Sequence, residues 1–108
     1  SAIANDANNV NKLVSFKNGH GIEFLATFSN ATDSLEDEHN VVLGKVRMMH
    51  IQQQPDGKVL GSLIPYSNSN PDGDLTFSTS DMVAVYTPIA DVERDYMAST
   101  SSISLTGA

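Results

Sequence analysis

Lys45, Arg47 and His50 fall within one segment of alternating apolar residues, and Lys12, Lys17 and His20 crowd another. These are the side chains with which the chain could meet phosphate groups, should its fold gather them on one face or around a pore. The plain reading of each alone is a solvent-facing charge on a half-exposed sheet, or for His20 an exposed turn residue that could stack on a base. A second constellation, Asn68, Asn70, Asp72 and Gly73, places oxygen ligands and a glycine as the opening of a calcium loop does. The twelfth position, where a bidentate glutamate should close the cage, is Thr79, and Pro71 interrupts the loop, so a turn-rich connection is the stronger account. The three histidines lack metal-ligand spacing. No metal or other cofactor is expected.

Catalysis finds no support. No glycine-rich phosphate loop precedes a helix, no nucleophile elbow occurs, and carboxylates such as Glu23 and Asp33 have no evident partner. Asn30-Ala31-Thr32 matches a glycosylation acceptor, which without a secretory signal reads as chance. A non-enzymatic protein is therefore expected.

Composition sets the frame. At 108 residues with 40% hydrophobic content, the chain suits one small globular domain. It has no cysteine, which removes disulfides and thiolate metal sites. Thirteen acidic residues against six basic give a net charge of −7. That balance opposes indiscriminate binding to nucleic acid, though it leaves a local basic face open. No apolar run approaches the roughly 18 residues of a membrane span, and no signal-like segment opens the sequence. The expectation is a cytoplasmic protein with no membrane partner.

The elements that must position these residues are mostly strands. Residues 1–11 read as an N-terminal arm. Val14 and Phe16, then Ile22, Phe24, Ala26 and Phe28, alternate at period two on either side of Lys17-Asn18-Gly19. They predict an antiparallel hairpin over 12–17 and up to Ser29, with Gly19 supplying the positive backbone angle of its turn. A polar stretch with Glu36-Asp37-Glu38 reads as a solvated loop. Third and fourth strands are expected over 41–53 and 58–66, joined by Pro55-Asp56-Gly57. Leu75-Thr76-Phe77 adds an extended piece, and Met82 to Thr87 forms the fifth strand. Thr87-Pro88 then caps a short amphipathic helix, 88–98, whose inward face carries Ile89, Val92 and Tyr96. A Ser/Thr-rich tail occupies 99–108. Five short strands with closely spaced turns predict a mainly β, five-stranded bent antiparallel barrel, SH3-like or OB-like in class, over residues 12–98 together with the short helix.

Three stretches of this pattern resemble the Sm-like family, which includes the Sm and LSm proteins and the bacterial RNA chaperone Hfq. They are Lys17-Asn18-Gly19, Leu63-Ile64-Pro65-Tyr66, and Met82-Val83-Ala84-Val85-Tyr86-Thr87-Pro88 with Asp91 and Tyr96. Within that family the chain looks most like small Sm-like proteins of marine cyanophages. Counting from Gly19, Ala26 and Asn30 match the apolar and aspartate positions of the first Sm motif, whereas Phe24 stands in place of its second glycine. The nucleotide-reading positions correspond to Thr32 and Ser34, and the Arg-Gly pair of the second motif to Ser78 and Thr79. None of these side chains can stack on a base or replace a guanidinium.

The resemblance implies a ring-forming homo-oligomer that binds single-stranded RNA or DNA in nucleic-acid processing or chaperoning. Candidate contacts are Lys17, His20, Asn30, Thr32, Ser34, Lys45, Arg47, Ser78 and Thr79. It also implies a subunit interface in which the fifth strand of one copy pairs with the fourth of the next, through Lys58, Leu60, Leu63, Tyr66, Met82, Val83, Val85 and Tyr86. The alternative is an assembly or protein-interaction module of phage origin that binds no nucleic acid, acting in an infected bacterial cell. An acidic surface suits it equally well.

Overall fold

The alternation around Lys17-Asn18-Gly19 becomes a hairpin of β1 (Leu13–Lys17) and β2 (Glu23–Phe28), with Val14 opposite Ala26 and Phe16 opposite Phe24. The structure is a computed structural model and describes residues 12–29 and 39–101. The expected tight turn at Gly19 is replaced by a five-residue loop, 18–22. Asn18 Oδ1 accepts the backbone N–H groups of His20 and Ile22, each at 3.0 Å. This side-chain closure carries the chain past Gly19, and the positive angle falls at Gly21, φ +78°.

One long strand, β3 (Asn40–Gln53), organises the rest. One of its edges takes β2. The other edge is shared by two strands placed end to end. β4 (Val59–Pro65) pairs with Arg47 to Gln53, and β5 (Leu75–Ser78) pairs with Asn40 to Leu43. A 3-10 turn, Thr79–Asp81, leads to β6 (Ala84–Tyr86), which lies beside β1 with Val85 opposite Phe16. All pairs are antiparallel, and the path runs β4-β3-β2-β1-β6. α1 (Ala90–Thr100) follows.

Among the described residues, the mainly β character with one short helix agrees with the sequence. The described residues form six strands rather than five, because the polar segment 66–74 interrupts the partner of β3 and leaves Leu75–Ser78 as a strand of its own. The outermost strands β4 and β6 do not pair with each other, so the sheet is not closed. The helix begins at Ala90, with Ile89 as its extended boundary, and runs on through Ser99 and Thr100, residues read as tail. Their hydroxyls donate back to the Tyr96 carbonyl. Ile89, expected on the inward face, is 71% exposed, while Tyr96 is buried and Val92 half-buried. The arm 1–11 and residues 102–108 of the tail lie outside the described residues, as do Asp33 and Glu36-Asp37-Glu38.

Val14, Phe16, Phe24, Ala26, Phe28, Val41, Leu43 and Val46 form one buried cluster on one face of the sheet. Leu43 and Val46 are three apart, and strict alternation would send them to opposite faces. A bulge reconciles them. The register of β2 on β3 shifts between Leu25–Arg47 and Thr27–Gly44, and Lys45 takes φ +50° as the extra residue. On the reverse face Tyr96 secures this point. Its hydroxyl donates to the Lys45 carbonyl at 2.9 Å and accepts from Thr27 Oγ1 at 2.9 Å. Burial raises the Tyr96 pKa from its ordinary value, keeping the phenol a donor.

Two stability outcomes follow. Tyr96→Phe leaves the Lys45 carbonyl and the Thr27 hydroxyl without this partner and should cost about 1–3 kcal/mol in urea unfolding. Ser15, fully buried, has an Oγ with no hydrogen-bond partner among the described residues. Ser15→Ala should therefore be neutral or stabilising by up to about 1 kcal/mol in the same measurement.

Candidate functional site

Lys45 and Arg47, the two basic residues of β3 in the predicted nucleic-acid set, stand in unlike surroundings. Lys45 is exposed at the bulge, whereas Arg47 is only 6% exposed. The guanidinium of Arg47 donates to the Pro71 carbonyl at 2.7 Å and forms an ion pair with the Asp72 carboxylate. A buried guanidinium requires such partners, since an unpaired one would be costly. Arg47 thus acts as an internal pin for the loop that separates β4 from β5. Ser29 Oγ donates to Asp74 Oδ2 at 2.9 Å and pins the same loop a second time. This explains the calcium-like spacing around Asp72 as loop anchoring. Among the described residues, no three histidine or carboxylate side chains gather as metal ligands.

The other members of the predicted nucleic-acid set are dispersed. Lys17 ends β1, and His20 lies exposed in the hairpin loop. The Ser78 hydroxyl meets that of Ser80 at 2.8 Å, and Thr79 Oγ1 donates to the His39 carbonyl at 3.1 Å. Both are engaged in shaping the 3-10 turn. Asn30, Thr32 and Ser34 lie outside the described residues. His20 and the 3-10 turn do approach each other, across a cavity described below, while Lys45 and Arg47 sit beside the 67–74 loop.

The residues predicted for a subunit interface lie along the two outer strands. On β4, Val59, Leu60 and Ile64 are exposed, while Leu63 is half-buried; Lys58 just before it is exposed. Tyr66, one residue past β4, is half-exposed and packs edge-on against Phe24 of its own chain. At the other end of the sheet, Val83 and Val85 are exposed and Met82 packs against the core. Tyr86 is half-buried and donates its hydroxyl to Glu23 Oε2.

Burial, then the Glu23 hydrogen bond and charge, raise the Tyr86 pKa well above its ordinary 10.0. Above that ordinary value the unfolded chain has lost a proton that the folded chain keeps, so stability should fall as pH rises beyond it. Urea unfolding across the alkaline range should show this decline, and Tyr86→Phe should make it shallower, leaving the share that the raised pKa of Tyr96 contributes.

A cavity of about 400 Å³ opens between the hairpin loop, the end of β4 and the 3-10 turn. Four of the chain's seven aromatic residues line it. Phe16 and Phe24 stack at 4.9 Å, Phe77 stands edge-on to Phe16 at 5.5 Å, and Tyr66 stands edge-on to Phe24 at 5.5 Å. Asn18, His20 and Asp81 form its polar rim. Sequence reasoning placed His20 and Tyr66 in separate sets and left Phe77 as part of an extended piece. The missing signal was the pairing of β5 with β3, which brings Phe77 beside the β1–β2 hairpin. A second cavity, about 360 Å³, lies between Met49 and Ile51 of β3, Leu63 of β4 and Val92 and Ser99 of α1.

No protein-family model matches the chain, and comparison with curated proteins finds no match. What the chain can do is therefore read from its own geometry. It presents two apolar strand edges, a pinned acidic loop, and one aromatic cavity with a polar rim.

Proposed function

We propose that this chain is a self-assembling Sm-like β module, a non-enzymatic protein whose copies join head to tail into a ring. In each contact the outer edge of β6 adds to the outer edge of β4 in the next copy. One observation carries the reading. The strands at the two ends of the sheet have no further strand beside them among the described residues, and both bear exposed apolar side chains. Unpaired edges of this kind recruit another chain, and two unlike edges on one subunit give a heterologous contact that repeats until it closes. The sequence resemblance supports the same arrangement. So does the strand order, which keeps β6 beside β1 and β4 at the far end.

Assembly is favoured over nucleic-acid binding as the primary role. The one buried arginine is committed to Asp72 and Pro71, and the net charge of −7 opposes a polyanion. Binding of a short single-stranded oligonucleotide near 50 mM salt, falling steeply as salt rises, would establish the nucleic-acid reading instead.

Sedimentation equilibrium at micromolar concentration should give a multiple of the 11.6 kDa chain mass. Replacing Val83 and Val85 with lysine blocks one edge, and replacing Val59 and Leu60 with lysine blocks the other. Each double variant should be folded and monomeric. Mixed together they retain one good edge of each kind and should form a one-to-one heterodimer. A monomeric parent chain removes the proposal.

A further inference from the structure

The aromatic cavity is walled by rings that pack on one another, whereas the cavity beside α1 has an apolar floor left open. In the register of β3 and β4, Met49 lies opposite Leu63 and Ile51 opposite Gly61, so these four positions share one face of the two strands. That face meets α1. Val92, Asp95 and Ser99, spaced along one side of the helix, form the facing wall. The helix covers the floor incompletely. Ile51 is 58% exposed, and Met49, Leu63 and Val92 are only half-buried.

Gly61 is what keeps this groove open. It stands inside β4 without a positive φ, so its backbone does not require a glycine. A Cβ built there would lie 3.4 Å from both Ile51 Cδ1 and Met49 Sδ, at ordinary contact, so the site has room for a side chain. A glycine inside a strand weakens it and marks a place where a ligand or another backbone approaches closely. The trough of about 360 Å³ lies beside it.

The chain itself supplies an occupant of the right chemistry. The helical wall reaches Ser99, α1 ends at Thr100, and Ser101 already has extended backbone, φ −75° and ψ 128°. Ser102-Ile103-Ser104-Leu105-Thr106 comes next, outside the described residues. Its two apolar residues are spaced by two, which in an extended segment puts both on one face and the hydroxyls on the other. It has no acidic side chain to be repelled by Asp95 at the rim. At about 3.3 Å per residue, residues 102–105 reach about 13 Å. Val92 to Ser99 spans about 10 Å of helix at 1.5 Å per residue, so a segment that turns back after Ser101 covers the groove. A short tether also gives the segment a millimolar effective concentration, so modest contacts suffice.

From these observations we infer that Ile103 and Leu105 dock in the groove of their own chain, over Gly61 and between Ile51, Leu63 and Val92. The docked segment straps α1 to the β3–β4 pair. It occupies the face of the sheet, whereas strand addition uses the edge, so the inference stands apart from the assembly proposed above.

The test uses the carbon-13 ε-methyl resonances of the full chain. Met49 lines the groove, while Met82 packs in the core cluster on the other face and serves as the reference. Nuclear Overhauser contacts should join the Met49 methyl to the methyls of Ile103 and Leu105. Replacing both residues with serine should shift the Met49 resonance, leave Met82 in place, and speed amide exchange of Ile51 and Leu63 severalfold. Gly61→Val fills the trough from its floor and should abolish the same contacts with the tail sequence intact. In a one-to-one mixture of labelled and unlabelled chains, the contacts should run only within a chain. A Met49 resonance indifferent to the serine variant, contacts that survive Gly61→Val, or contacts running between chains would each overturn the proposal.

Discussion

The hydrogen bond from the Tyr96 hydroxyl to the Lys45 carbonyl fixes the place where β3 changes face, and the fold is organised around that place. Lys45 sits at a positive φ, a conformation that costs a non-glycine residue on the order of 1 kcal/mol. The bulge turns one carbonyl out of the sheet, and Tyr96 meets it from the helix. With the extra residue in place, Leu43 and Val46 both enter the core and Arg47 faces the reverse side, towards the 67–74 loop. Without it, one of the two apolar residues would face away from the core cluster. Helix docking, core closure and loop anchoring thus share one short stretch of β3.

Arg47 shows how charge is used in this chain. In sequence it is one of six basic residues in an acidic chain and reads as a candidate for phosphate. In the fold its partners are Asp72 and Pro71, about two dozen residues later, so the cation is neutralised internally. The chain as a whole keeps a net charge of −7, which disfavours contacts with a polyanion.

How much of this was legible in the sequence depends on the range of the interaction involved. The hairpin, β3, β4 and the Pro55-Asp56-Gly57 turn follow from period-two alternation and from turn chemistry that acts within a few residues; Gly57 indeed carries a positive φ. The bulge was also written there, in the change of parity between Leu43 and Val46, but a run of apolar residues hides such a change. Asn18 was recognised as a turn residue, while its capture of two N–H groups moved the left-handed position to Gly21. The aromatic cavity was not legible, because Phe16, Phe24, Tyr66 and Phe77 come from three separate strand pairings and a loop. Neither was the burial of Arg47, which depends on where the 67–74 loop returns.

Beyond Met48, β3 has β2 no longer at its side, and residues 49–53 are paired only with β4. A two-stranded ribbon is marginal on its own. Here α1 lies against it, with Val92 and Ser99 facing Met49 and Leu63 across the smaller cavity. The same helix carries Tyr96. Undocking α1 would therefore release the ribbon and the bulge together, making them one cooperative unit of local opening. The outer strand β4 is thus governed by the grip of a helix whose anchor lies on the bulge of β3.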